Sequence, residues 1–331
     1  MSRIACVVIG RNEGDRLVRC LSSVLRECEC VVYADSASTD GSLDAARRLG
    51  VATVALDGSE RLSAARGRNA GFEHLSRTVP DLEYVQFLDG DSELIPGWLA
   101  RGALELDRTP DAAAVCGRVR ERNPERSVYN ALYEMDWVHE PGDVEWLGGT
   151  ALFRASAFRE ARGFDANLIA GEEPDLCARL RARGHRIRSV ECDMSLHDAN
   201  MTRFSEWWVR NVRTGHAYAE AMDLRPDDPA MASSEAIRSI SLWAMWLPGL
   251  SIALAPPTLG ASLLAPIGGY PALFARIYRS MRERGFSRKD ASRYAAFCVL
   301  GKFPQAWGLA RYQALRLRGR SSELIEYKGR A

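Results

Sequence analysis

Three apolar runs constrain this chain most: IACVVI at Ile4–Ile9, CVVYA at Cys30–Ala34 and YVQFL at Tyr84–Leu88. None alternates apolar with polar residues, so each reads as a strand buried on both faces, as in a parallel sheet covered by helices. A helix-patterned segment follows each of the first two. Asp15–Arg26 sets Leu17, Cys20, Leu21 and Val24 at helical spacing, and Leu43–Leu49 follows the second run. A short strand is predicted at Ala52–Leu56 and a helix at Ser63–Ser76. This alternation predicts an α/β fold.

In open sheets of this type, ligands bind beyond the carboxyl ends of the strands. Those ends here carry Arg11-Asn12-Glu13, Asp35-Ser36, Asp57 and Asp89-Gly90-Asp91, which predicts one site on one edge of the sheet. Further strands are predicted at Ala113–Arg118, Leu147–Phe153 and Arg186–Val190, and helices at Pro174–Arg183 and Ser205–Met222.

The net charge of +1 over 331 residues lacks the basic excess of a general nucleic-acid binder, so no nucleic-acid partner is expected. Eight cysteines include no C-x-x-C pair, which fits reduced thiols rather than a zinc or redox motif. The N-terminal MSRIACVVIG enters a strand pattern directly, without the basic-then-apolar layout of a signal peptide. By contrast, Ser239–Ala275 contains no Asp, Glu, Lys or Arg, and arginines follow it at 276, 279, 282 and 284. Prolines 248, 256, 257 and 266 divide this stretch into halves slightly short of a bilayer span. Two short tilted spans or a re-entrant hairpin are expected, with the basic flank on the cytoplasmic side. A buried core hairpin is the alternative.

Two carboxylates flanking a glycine at a strand end, Asp89 and Asp91, suit a hard divalent cation such as Mg²⁺ or Mn²⁺. The same residues also fit an Asp-Gly turn with a helix cap. Asp35 and the following DSASTDGS offer hydrogen-bonding groups for a base or ribose, or an ordinary turn and N-cap. Arg61, Arg66 and Arg68 stand at a helix start, where phosphate is favoured, or form a solvated basic face. Glu172, Glu173 and Asp175 supply a carboxylate for taking a proton from an attacking hydroxyl, or acidic charge complementing a helix dipole.

In order along the chain, VVIGRNEGDRL, VVYADSASTDGS, ARGRNAG, FLDGDSEL, WLGGTALFR and GEEPDLCARLRARGH resemble the family 2 glycosyltransferases over roughly the first two thirds of the sequence. The resemblance implies a GT-A fold, a Rossmann-like mixed sheet with flanking helices. It also implies a nucleotide-diphosphate sugar donor (a UDP-sugar foremost), a Mg²⁺ or Mn²⁺ cofactor, and inversion in a single displacement. Carried over, Asn12 and Glu13 line the nucleotide pocket, Asp35 lies near the base or ribose, and Arg68 lies near the nucleotide or its phosphates. Asp89 and Asp91 face the metal and diphosphate, and Gly148 and Gly149 form a flexible wall near donor and acceptor. Glu173 aligns with the catalytic base, with Glu172 the other choice. His197 is either a third metal ligand, as in some GT-A enzymes, or a hydrogen-bonded core histidine. The predicted organisation is a catalytic domain at 1–223, a linker at 224–236, a membrane-embedded hydrophobic hairpin at 237–276 and a basic amphipathic tail at 277–331. Hairpins of this kind are similar to those of bacterial members acting on lipid-linked or cell-envelope glycan acceptors at the cytoplasmic face of the inner membrane. A nucleotidyltransferase and a non-catalytic, transferase-like subunit of a glycan assembly complex are the alternatives.

Overall fold

A computed structural model describes residues 4–137, 140–168, 170–224 and 233–319. Its strands are β1 Ile4–Gly10, β2 Val31–Asp35, β3 Ala52–Ala55, β4 Tyr84–Asp89, β5 Ser92–Leu94, β6 Ala112–Glu121, β7 Gly142–Asp143, β8 Ala151–Arg154 and β9 Arg186–His197. The α-helices are α1 Asp15–Leu25, α2 Ser42–Arg48, α3 Ala64–Thr78, α4 Trp98–Arg108, α5 Val128–Asp136, α6 Ala155–Glu160, α7 Glu172–Arg181, α8 Phe204–Leu224, α9 Ser233–Ser241, α10 Leu247–Ala253, α11 Leu264–Glu283 and α12 Arg288–Leu317. They fall into two compact units, one of residues 1–124 and 136–200, the other of 125–135 and 201–331.

The first unit is built on a sheet with strand order β3-β2-β1-β4-β8-β6-β9-β5, with β7 paired to β9. The four strands β1 to β4 run parallel, with Val7 opposite Val32 on one side and Phe87 on the other. On the far side of β4 the sheet is mixed: β8 runs antiparallel to β4 and β6, while β6 and β9 are parallel. This is the mixed Rossmann-like sheet expected. Its core explains the uninterrupted apolar runs, because Val7, Val8, Val32, Tyr33, Phe87 and Leu88 are all 0 % exposed. Burying each such side chain contributes about 1.5–3 kcal/mol. The predicted face of α1, Leu17, Cys20, Leu21 and Val24, is the buried one.

Several boundaries differ from expectation in ways that shape the site. Strand β8 begins only at Ala151, which leaves Gly148 and Gly149 in irregular backbone. Helix α7 begins at Glu172 rather than Pro174, so both glutamates lie in its first turn. Proline needs no hydrogen-bond acceptor there, because first-turn amides have no partner within the helix. Strand β9 continues to His197 instead of stopping at Val190. The short strand β5 resumes directly after Asp91, so Asp89-Gly90-Asp91 links two strands rather than leading straight into a helix.

The second unit is helical. Tyr312 of α12 donates to Asp223 of α8 at 2.9 Å, and Ile240, Ala306 and Leu309 are buried with them. Phe297 packs edge-on against Trp207 and Tyr129. Sequence boundaries at 223 and 277 fall inside helices of this unit: α8 reaches Leu224, and α11 runs from Leu264 to Glu283. Of the expected linker and tail, 225–232 and 320–331 lie outside the described residues.

The hydrophobic stretch is helical in pieces, with a turn between the shorter helix and the longer one. A π-helical turn at Leu242–Trp246 leads into α10, and Leu259 and Gly260 take positive φ in the turn before α11. The expected spanning segments are not supported, because among the described residues no helix is long and apolar enough to cross a membrane. Helix α10 covers only 7 residues. The apolar part of α11, Leu264–Ala275, rises about 18 Å at 1.5 Å per residue, against a hydrocarbon core of about 30 Å. Even so, the hairpin leaves large apolar side chains in the open, including Trp246 at 60 %, Ile252 and Ile267 at 68 % and Leu259 at 98 % exposure.

Candidate active site

Strand ends converge as the topology demands. Gly90 N–H donates to Ile9 O at 2.7 Å, Ser36 N–H to Gly10 O at 3.0 Å and Leu56 N–H to Asp35 O at 2.9 Å, which ties the ends of β1, β2, β3 and β4 together. Asn12, at φ 54°, staples the first loop to the second. Its backbone N–H donates to Ser38 Oγ, and its Oδ1 accepts from Thr39 N–H at 2.8 Å. Asp35 is 2 % exposed, and its two oxygens accept from Tyr33 OH at 2.8 Å and Ser38 N–H at 2.9 Å. Beside that carboxylate, burial comes first in pushing the Tyr33 phenol far above its ordinary range. Glu13 pairs with Arg16 at 2.7 Å, and its Cγ lies against Gly90.

Of the three arginines singled out, only Arg68 enters this region. Arg61 donates to Asn167 O, and Arg66 pairs with Glu60 at 2.5 Å. Ser63 caps α3 by accepting from Arg66 N–H, which sets the phase of the helix. Arg68 then points inward, 2 % exposed, with its guanidinium over the Phe164 ring. Its Nη2 donates to Asp89 Oδ1 at 3.0 Å, and its Nη1 to Glu172 Oε1 at 2.9 Å and Glu173 Oε1 at 3.2 Å. One buried cation therefore answers three carboxylates drawn from two distant segments. Asp175, by contrast, turns away to pair with Arg179 at 2.8 Å, and is part of the α7 scaffold.

The Glu173 carboxyl is pushed up to about 7, first by burial and then by the charge of Glu172, with Arg68 opposing both. A carboxylate in this range accepts a proton efficiently near neutral pH. Gly149 makes the arrangement sterically possible. A Cβ there would lie 1.9 Å from Arg68 Nη2 and 2.9 Å from Glu173 Oε1. Gly148 gives way similarly to the Trp137 ring, 2.3 Å from where its Cβ would stand.

Asp91 faces the other way. Its side chain is 5 % exposed, against 41 % for Asp89, and its Oδ2 lies 3.5 Å from His197 Nε2. His197 Nδ1 lies 3.2 Å from Oε2 of Glu121, a fully buried side chain that the sequence did not single out. The only signal was a carboxylate at the end of an apolar strand, and the charged run GRVRERN disguised it as surface. Among the described residues no group of three or more His, Cys, Asp or Glu side chains is placed to hold a metal ion. The donor chemistry still fits an ion shared with a diphosphate, since Mg²⁺ is usually held by one or two carboxylates plus substrate phosphates. Asp89 and Asp91 are the carboxylates at this strand end, and His197 Nε2 stands beside Asp91.

Residues 5–161 match the family model described as "Glycosyl transferase family 2". A pre-mycofactocin glycosyltransferase of Mycobacterium tuberculosis is 29 % identical over 214 residues, which cover 60 % of this chain and 42 % of the relative. The chain thus spans well under half the length of the curated relatives it matches. A mannosyltransferase from Pyrobaculum calidifontis, solved with GDP-Man and Mn²⁺, superposes with a TM-score of 0.58 at 17 % identity, over 94 % of this chain and 87 % of that one. S. aureus TarS 1–349 gives a TM-score of 0.51 at 13 % identity, over 96 % and 92 %. At these identities the two structures speak to the fold alone, and that fold is GT-A-like. Together the family match and the related sequences support a glycosyltransferase.

Proposed function

We propose that this chain, whose residues 5–161 match the glycosyl transferase family 2 model, carries out an inverting transfer of a sugar from a nucleotide-diphosphate donor to a hydroxyl acceptor. The observation that carries this reading is the Arg68 cluster, in which Asp89 and the pair Glu172-Glu173 are held on one guanidinium. Glu172, Glu173 and His197 lie beyond the matched segment, so their roles rest on geometry.

In this reading, Asn12 and Asp35 shape the nucleotide pocket through the loops they fasten. Glu173 takes the proton from the acceptor hydroxyl, its basicity set by burial beside Glu172. Glu172, more buried and closer to Arg68, stays in place as the counter-charge. Arg68 keeps base and donor-side carboxylate in register, and glycine at 149 admits its guanidinium. Asp89 and Asp91 would hold Mg²⁺ or Mn²⁺ together with the donor's phosphates, and His197 lies beside Asp91. Bound there, the ion would supply Lewis-acid stabilisation of the departing diphosphate.

The donor reading is a nucleotide-diphosphate sugar, with UDP, GDP and dTDP as the nucleotides to compare. For the acceptor we take a lipid-linked or cell-envelope glycan at the cytoplasmic face of a membrane. The exposed apolar hairpin supports attachment in the plane of the interface, and the basic run from Arg276 to Arg293 would meet anionic lipid. Calorimetric titration of the three nucleotides with Mn²⁺, repeated with chelator, tests the donor site. One nucleotide binding tightly and only with metal is the expected result. No binding of any would turn the reading toward a non-catalytic transferase-like subunit.

A further inference from the structure

We infer that Trp146, with Trp137 packed against it, forms a subsite for the acceptor, an aromatic surface that takes the apolar face of a pyranose ring. The inference rests on the reading of Glu173 as the base and names what the acceptor carries. The segment from Trp146 to Gly149 runs beside α7. Leu147 is 0 % exposed and its backbone lies by the Cys177 thiol, while a Cβ on Gly149 would stand 2.9 Å from Glu173 Oε1. Glu173 and Cys177, four residues apart, share one face of the helix about 6 Å apart along its axis, a distance that two residues of chain can span. Gly148 admits the Trp137 ring, since a Cβ there would lie 2.3 Å from its Cζ3. The Trp137 and Trp146 rings meet edge to face, with centroids 6.5 Å apart and planes at 70°. Contacts therefore lead from Glu173 through Gly149 and Gly148 to Trp137, and then to Trp146, which is 37 % exposed.

An exposed indole at the end of such a chain is chemically selective. It is large, flat and apolar, and packing against Trp137 restricts its rotation. One face of a pyranose is a patch of C–H groups with hydroxyls around its rim. Sites for small ligands pair aromatic walls of this kind with a few polar groups. Glu145, the exposed neighbour of Trp146, is an acceptor for hydroxyl hydrogens. An alkyl chain would leave that carboxylate unused. A nucleobase also stacks on indole, but the loops of Asn12 and Asp35 follow β1 and β2. Strand β8, which follows the Trp146 segment, is separated from β2 by β1 and β4. The group beside the base is therefore a sugar of the acceptor glycan, rather than a lipid chain or the donor's base.

The test uses the full chain without donor or metal. Saturation-transfer difference spectra are recorded with the methyl pyranosides of glucose, galactose, mannose and N-acetylglucosamine, and with cyclohexanol as an apolar control. At least one pyranoside should receive saturation on the C–H protons of one ring face. Trp146→Ala should abolish that transfer, and Trp146→Phe, which keeps an aromatic face, should retain it. Absence of transfer to every pyranoside, transfer unchanged in Trp146→Ala, or equal transfer to cyclohexanol overturns the inference. Should Trp146→Ala not fold, 5-fluorotryptophan labelling decides, with Trp146→Phe assigning the signal. A shift of that signal on adding a pyranoside is expected, and an unmoved signal overturns the subsite. Failure of the base reading is read separately, in donor turnover. If Glu173→Gln turns over donor as the parent does, the acceptor assignment falls even where Trp146 binds a sugar.

Discussion

Replacing Arg68 by Met tests the charge arrangement on which the active-site reading depends. The guanidinium is 2 % exposed and lies 2.9, 3.0 and 3.2 Å from Glu172, Asp89 and Glu173. Each contact corresponds to a gross attraction of about 5 kcal/mol at an effective dielectric constant near 20. Most of that offsets the desolvation of the four groups. Asp89, at 41 % side-chain exposure, is further screened by water. What remains on removing the partner of buried charges is about 3–5 kcal/mol of destabilisation. Methionine fills much of the volume, so this loss would be electrostatic.

The sign of the pH dependence follows from Glu173. Its carboxyl is already raised to about 7 with Arg68 present, and removal of the nearest cation raises it further. A raised carboxyl contributes stability that is fully present below its unfolded value, near 4.3, and is lost as pH rises through the folded value. The parent loses that contribution around pH 7 and the variant loses more of it, at higher pH. The difference between them is therefore largest at pH 8 and shrinks toward pH 5, where Glu173 is protonated in both. A penalty of about 3–5 kcal/mol at pH 8 should fall by about 1–2 kcal/mol at pH 5, roughly one pKa unit's worth. Native-state hydrogen exchange of the β1 and β4 amides, corrected for intrinsic rates, reads this for the unit that holds the cluster. A penalty below about 1 kcal/mol at pH 8, or one of equal size at both pH values, would refute the reasoning.

Glu173→Gln should lower kcat about 10²–10⁴-fold, while Glu172→Gln costs less in kcat; the reverse order in a donor-turnover assay would move the base to Glu172. In the parent, kcat/KM should rise with pH along a limb near 7, because the base must be ionised, and a flat profile between pH 6 and 8 would contradict this. Gly149→Ala should cost about 1–3 kcal/mol by overpacking, and less in the Arg68→Met background, because the Nη2 atom 1.9 Å from the new Cβ is gone; additive penalties in a double-mutant cycle would argue against this clash. Serine at Trp246, Leu259 and Ile267 together should abolish co-sedimentation with anionic vesicles while Mn²⁺-dependent nucleotide binding persists. Unchanged sedimentation would remove the hairpin from the membrane reading.

Which parts of this site could be read in advance follows from how local their causes are. Asp35, Asp89 and Arg68 announce themselves because each lies at a strand end or helix start, and the sheet topology alone brings those ends together. Glu172 and Glu173 were visible as a pair, but their setting was not. Arg68 lies 104 residues from Glu172, and nothing in either segment states that one guanidinium will serve both. Glu121 was invisible for a related reason. In GRVRERN it alternates with arginines as a solvated edge would, and its partner His197 is 76 residues away. Only the ladder between β6 and β9, with shifts in register before it reaches Glu121, turns that carboxylate to the histidine. The hairpin reverses the lesson. Lack of charge from Ser239 to Ala275 was plain, but crossing a bilayer depends on uninterrupted helix length, and the turn before α11 divides the stretch. Leu259, 98 % exposed, stands at that turn, and the interfacial attachment proposed above requires an apolar surface but no span.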